Sequence, residues 1–416
     1  MHQSKPDAAG QSVLPTSQDP RFRNRNLQWM RAIAALFVLL YHASVYLDQI
    51  TGESAFLRVF DGRFGLIGVA IFFAISGYLM AEILPKVDPW RFLLHRVVRI
   101  YPIFLIVLLS LLLVRRRLDE VDLWAVTLVP VGEGRIYYLG VEWTLLFETT
   151  FYVFLFICSL LGLRHRLHWI AGLWLVVITV GTFAYSSVQS VLTPRIELLP
   201  IMSVNAAFAA GLLIPRLRAS GLFQPALATL AVGILFLSGV FSFGVDRLVA
   251  SAAAILLVGL VVSNRQQGTG RPGIVSRIAD RYGDWSYALY LCHAPLVVAI
   301  YLKHPPLPGW GLWCLAVVVP LLVAIPYGIL DLALYRVLKA WVDRSSKTTA
   351  ALLASLYTAF FIAVAATASL VGTGPTPQLN RQPIAKPVPP PAETAVPTLV
   401  PDPVAPQTLA PSPSVP

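Results

Sequence analysis

Charge is scarce in this chain. Asp, Glu, Lys and Arg make up 13% of 416 residues, about half of the quarter that soluble domains carry, which excludes an ordinary water-soluble fold. Cysteine is scarcer still. Cys158, Cys292 and Cys314 each sit inside an apolar stretch, which excludes a disulfide framework and a closely spaced thiolate metal cluster. Inverted internal repeats, common among transporters, are missing too. Acid is in shorter supply than base, 21 residues against 32, for a net charge of +11. In a soluble protein that excess would suggest nucleic acid. No nucleic-acid partner is expected here, because the basic residues gather in short loops on one side, as membrane topology requires.

What is abundant is apolar residues, 56% of the chain with a mean hydropathy of +0.69. Runs long enough to cross a bilayer as helices fall near 29–48, 65–84, 98–114, 139–162, 168–185, 197–215, 221–241, 245–263, 285–303, 311–338 and 349–372. The expected fold is therefore an all-α polytopic bundle of about ten transmembrane helices plus one appended C-terminal helix. With the N-terminus cytoplasmic, 21 of the 32 basic residues fall inside. Arg115-Arg116-Arg117 falls on the wrong side, and an extra span or re-entrant turn at 121–131 would relocate it. The basic run Arg21 to Arg25 imitates a secretion signal, but the spans that follow argue that it stays uncleaved. Residues 1–26 read as a disordered cytoplasmic segment, 27–347 as the membrane domain and 348–372 as the appended helix. Residues 373–416 hold 14 of the 32 prolines and read as a disordered, extracytoplasmic tail able to dock a polysaccharide-assembly partner.

Ionisable residues inside such runs are costly, and by default they mark function. Arg31 and His42, eleven residues apart in the first run, project from nearly the same helix face about 16 Å apart. Arg31 alone would pass as a snorkelling anchor; His42 lies too deep for that. Arg91, His95 and Arg99 repeat at four-residue spacing, with Arg96 beside them, and form a basic face. It suits a polyanion, but from this segment alone ordinary positive-inside anchoring is the stronger reading. Glu142 and Glu148 occupy one apolar run on different faces. Glu142 reads as interfacial, while Glu148 must be paired or protonated, as a functional acid or in a structural ion pair. Asp284 reads as a helix cap at the start of a span, with His293 inside that span and pointing elsewhere. The segment Gly68 to Tyr78, with Ser76, reads as a close-packing face. Three separate spans would have to converge to make a metal site of His42, His293 and Glu148, so none is expected.

Taken in order, Arg31-x10-His42, Gly68 to Tyr78, Arg96-x-x-Arg99-Ile-Tyr-Pro, Trp143-Thr-x-x-x-Glu148 and Leu289-Tyr-Leu-x-His293 resemble the acyltransferase 3 family, particularly its exopolysaccharide and Nod-factor O-acetyltransferases. The resemblance covers roughly 27–340. It implies an enzyme of the bacterial inner membrane that moves an acetyl group from acetyl-CoA to a sugar hydroxyl of an exported or envelope polysaccharide, or of a lipid-linked sugar. It also implies that His42 is the central catalytic residue with Arg31 in its motif, and that Arg96 and Arg99 serve the acyl-CoA. His42 would act as general base or as transient acyl acceptor, with Glu148 orienting it. Candidates for the substrate pocket are His293, Ser76 and Trp143. Some members carry a fused extracytoplasmic hydrolase-like domain; here only the extra helix and tail occupy that place. The competing expectation is a transporter or flippase of a lipid-linked glycan, with the intramembrane Arg, His and Glu as its path.

Overall fold

The computed structural model describes residues 25–264 and 273–375. The expected segment 1–26 and tail 373–416 lie outside the described residues except at their inner edges. The described residues are mostly helical, because an apolar backbone in a bilayer must satisfy its own hydrogen bonds. In order the helices are α1 (Arg25–Thr51), α2 (Gly62–Ile83), α3 (Pro89–Arg115), α4 (Leu123–Val126), α5 (Glu142–Leu160), α6 (Leu167–Ala184), α7 (Ala206–Gly211), α8 (Ile214–Ala219), α9 (Leu227–Leu237), α10 (Phe243–Ser263), α11 (Ile274–Leu302), α12 (Gly309–Arg344) and α13 (Lys347–Leu370). Among the described residues, nine of these are long and apolar enough to cross a membrane. No strand forms there beyond one isolated bridge between Val131 and Arg195.

Two of the eleven expected spans are not continuous helices. The segment 197–215 becomes two 3₁₀ turns, α7 and α8, interrupted at Pro200 and Pro215, neither of which offers a backbone N–H. Its loose polar groups are recovered by side chains. Asn205 Nδ2 donates to the Leu199 carbonyl at 2.5 Å, and buried Gln189 accepts from Ser203 N at 2.8 Å while donating to the Ile201 carbonyl at 3.3 Å. The segment 221–241 yields only the eleven-residue α9, which starts after Pro225 and stops before Gly239 at φ +87°.

Side-chain contacts fix which ends lie together. Arg25 reaches Asp280, Asn26 reaches the Asn264 carbonyl, and Arg91 reaches the Ser345 carbonyl, all at the end of the bundle where α1 begins. At the opposite end Arg63 lies against Gly239, Glu53 against Gly309, and Arg135 donates to the Gly374 carbonyl. Gln189, just after α6, packs on Gly244 near the start of α10, so the chain between them leaves and returns to that opposite end. The broken stretch and α9 therefore run there and back, which adds two shorter passages to the nine membrane-length helices among the described residues.

Other expectations change locally. Residues 121–131 form a loop holding the four-residue α4 rather than a span, so Arg115-Arg116-Arg117 stays at the end opposite Arg25. Asp284 is not a cap. Helix α11 begins ten residues earlier, because Ile274 to Asp284 extends it as a polar and basic first third, and Asp284 lies mid-helix.

Small residues draw the central helices together. A Cβ on Gly283 would fall 2.3 Å from the Gln28 carbonyl oxygen, and one on Gly77 would fall 2.2 Å from that of Phe208. These contacts bring α1 against α11 and α2 against α7 at backbone distance. Helix α13 lies along α3, with Phe361 buried and the Tyr357 hydroxyl 3.2 Å from that of Tyr101.

Candidate functional site

The first half of the site is a cavity of about 160 Å³ among α1, α2, α3, α5 and α11. Arg31, Arg96, Arg99, Glu148 and Ser76 all line it, joined by Thr144, Tyr152, Tyr287 and Tyr290. Helical spacing explains the α5 contribution. Thr144, Glu148 and Tyr152 are four apart and share a face. Trp143 is rotated well off that face; it lies outside the cavity, with the Arg247 guanidinium 5.7 Å from its ring.

The basic face of α3 divides in two. Arg91, His95 and Arg99 form a zipper to the α12 side: Arg91 to the Ser345 carbonyl at 3.0 Å, His95 to Asp343 at 2.8 Å and Arg99 to Asp331 at 2.6 Å. Arg96, rotated away from that stripe, points toward α5. Its guanidinium lies 5.8 Å from the centre of the Tyr152 ring, and its buried Nε has no hydrogen-bond partner. A desolvated donor left open is costly, and Arg96 carries one where Arg99 has a carboxylate partner. Glu148 accepts a hydrogen bond from the Tyr152 hydroxyl, which also lies 3.5 Å from the Ser76 hydroxyl. No contact joins Glu148 to His42, so the expected orienting role finds no geometric support here.

The second half of the site is a pair of imidazoles. His42 Nδ1 lies 3.0 Å from His293 Nε2 and 3.0 Å from the Val38 carbonyl. His293 is 1% exposed, and its Nδ1 lies 2.7 Å from the Tyr290 carbonyl. Rings of Tyr41 and Tyr46 flank His42 at 5.1 and 5.6 Å. Tyr290 connects the halves: it lines the cavity, its ring centre is 5.7 Å from that of His293, and its hydroxyl is 2.8 Å from Thr144 Oγ1.

Near the opposite end, Glu142 is fully engaged in structure rather than interfacial. Its carboxylate accepts from Leu139 N at 2.7 Å and Val141 N at 3.1 Å, holding the turn that starts α5. Burial, and then the neighbouring Glu142 carboxylate, push the phenol of loop residue Tyr137 above its ordinary value. Among the described residues, no group of three His, Cys, Asp or Glu side chains is placed to hold a metal.

Sequence reasoning missed Asp331, Tyr152 and the His42–His293 bond. Asp331 carried a signal, as the only acid in the apolar run 309–335. Tyr152 carried another, four residues from Glu148. The histidine bond carried none, since it depends on how α1 and α11 cross.

A family model described as an acyltransferase domain matches residues 24–329. The chain belongs to the acyltransferase 3 family. ExoZ of Rhizobium meliloti, an exopolysaccharide production protein, is 30% identical over 253 residues, covering 55% of this chain and 75% of that protein. BcsY of Komagataeibacter xylinus, assigned by name as a membrane-bound transacylase, is 26% identical over 356 residues, covering 76% and 86%. No solved structure gives a significant match. The matched region takes in every residue of the cavity and the imidazole pair, whereas α13 lies beyond it.

Proposed function

We propose that this protein is an inner-membrane O-acetyltransferase that moves acetyl from acetyl-CoA to a sugar hydroxyl of an exported polysaccharide. The reading rests above all on one juxtaposition: a cavity lined by half-buried Arg96, whose buried Nε has no hydrogen-bond partner, runs up to Tyr290, and Tyr290 abuts the His42–His293 pair. The exopolysaccharide role in the name of ExoZ supports the choice of acceptor.

In this reading the end bearing Arg25 faces the cytoplasm, where acetyl-CoA is found. A phosphate of the donor docks on Arg96, with Arg31 adding positive charge to the same cavity. The thioester is carried past Tyr290 toward His42, and the sugar approaches from the opposite end. His42 Nε2 takes the proton of the attacking hydroxyl, the new O–C bond forms and the C–S bond breaks. The CoA sulfur then leaves with the proton that His42 had taken, so the enzyme returns to its starting state. The membrane domain is proposed to complete this chemistry itself, while the proline-rich tail recruits the glycan-assembly machinery.

The test is direct. Purified protein in lipid nanodiscs receives acetyl-CoA labelled in the acetyl group together with an exopolysaccharide acceptor. Label is expected on the glycan as an alkali-labile ester. Intact donor, or label recovered solely as free acetate, would contradict acyl transfer to sugar.

A further inference from the structure

We infer that His293 is a positioning residue that works through His42, and that the two imidazoles act as a proton relay anchored on a backbone carbonyl. The inference rests on the proposed role of His42 as base and adds a second residue with a different function.

The hydrogen-bond chain has one consistent direction. The Tyr290 carbonyl can only accept, so the 2.7 Å contact places a proton on His293 Nδ1. A neutral imidazole carries one N–H, which leaves His293 Nε2 as a lone pair. That lone pair, 3.0 Å from His42 Nδ1, must then accept, so His42 carries its own proton on Nδ1. The Val38 carbonyl, also 3.0 Å from the same nitrogen, demands the same arrangement. His42 Nε2 is thereby left as the free lone pair, the atom a general base requires. In a serine-hydrolase triad a carboxylate imposes this tautomer; here a second imidazole and a carbonyl do so.

Val38 alone would fix the tautomer, so His293 must add something else. When His42 Nε2 takes the hydroxyl proton, the ring becomes a cation in a buried place. A carbonyl can only lean on that cation, whereas His293 Nε2 can take the Nδ1 proton outright. The positive charge then moves to His293, whose Nδ1–H remains on the Tyr290 carbonyl. As His42 Nε2 gives its proton to the departing sulfur, the Nδ1 proton returns. Each ring ends as it began, and no further reactant is needed.

The relay is tested in the full-length protein with labelled acetyl-CoA and the exopolysaccharide acceptor, alongside ¹⁵N-histidine spectra that report tautomers without any turnover. His293→Leu should lower kcat about 100-fold, in the range of acid–base assistance, with KM for acetyl-CoA unchanged. His293→Gln, whose amide oxygen can accept from His42 Nδ1 but cannot take the proton, should recover about tenfold of that loss. The wild-type spectrum should show His42 and His293 both protonated on Nδ1. An unchanged kcat in His293→Leu, or a His42 ring protonated on Nε2, would overturn the relay. Should His293→Leu fail to fold, the Gln variant and the wild-type spectrum still decide. Full acylation by His42→Ala would instead sink the proposed base, a different failure that the spectra do not share.

Discussion

At the scale of single residues, Arg96 and Arg99 differ in what they touch. Arg99 and Asp331 form an ion pair at 2.6 Å with side chains 18% and 3% exposed. Removing one partner strands the other, at a cost of about 3–5 kcal/mol. Arg99→Ala should therefore lower the thermal midpoint of the purified protein sharply, and Arg99→Met combined with Asp331→Leu should regain most of it. Equal midpoints for the wild type and Arg99→Ala would show that the pair is not structural. Arg96→Ala should behave oppositely, leaving stability intact and weakening acetyl-CoA binding by about 1.5–3 kcal/mol, the worth of a charge-assisted bond. Arg96→Lys should rescue little where the contact is bidentate. Isothermal titration measures both, and unchanged affinity in Arg96→Ala would remove the phosphate role. The sequence made Arg31, His42 and Glu148 legible because an ionisable group stands out against apolar neighbours. It hid the partners of Arg99 and His42, because Asp331 is 232 residues from Arg99 and His293 is 251 from His42. Only Tyr152, one turn from Glu148, was within reach of local spacing.

At the scale of elements, the imidazole pair exists because α1 and α11 approach to backbone contact at Gly283. Gly283→Ala would place a methyl group 2.3 Å from the Gln28 carbonyl oxygen, forcing the helices apart at a cost of about 1–3 kcal/mol. Acylation should fall along with the thermal midpoint, because His42 and His293 ride on those two helices; full activity would show that the crossing does not set the pair. Helix α13 presents the opposite case. It packs on α3, where the Tyr357 hydroxyl meets that of Tyr101, yet Tyr101 keeps a 2.6 Å hydrogen bond to the Thr127 carbonyl without it. Ending the chain after Lys347 should thus preserve the fold and acetyl-CoA binding, and a truncated protein unable to bind would place α13 in the catalytic bundle. Long apolar runs announced nine helices because length and hydropathy alone decide them. The breaks at 196–219 were foreshadowed only by Pro200 and Pro215. That such a stretch still crosses depends on Gln189 and Asn205 satisfying its backbone, which no hydropathy pattern records.

At the scale of the whole molecule, Arg25 and Glu53 mark opposite ends of the bundle, and the proposed reaction brings donor and acceptor to it from those two ends. Single cysteines at Ser54 and Ser220, with Cys158, Cys292 and Cys314 replaced, test the arrangement on intact spheroplasts. A membrane-impermeant thiol reagent should label Ser54→Cys at once and Ser220→Cys only after lysis; simultaneous labelling of both would mean that the broken stretch does not cross. Acyl transfer by this bundle is proposed to take place at His42. The decisive measurement compares wild type with His42→Ala, equally inserted and equally abundant, for transfer of labelled acetyl from acetyl-CoA to exopolysaccharide. The wild type should label the glycan, and the variant should fall by at least about 100-fold while still binding acetyl-CoA. Wild-type labelling of the glycan by His42→Ala would rule out catalysis at His42.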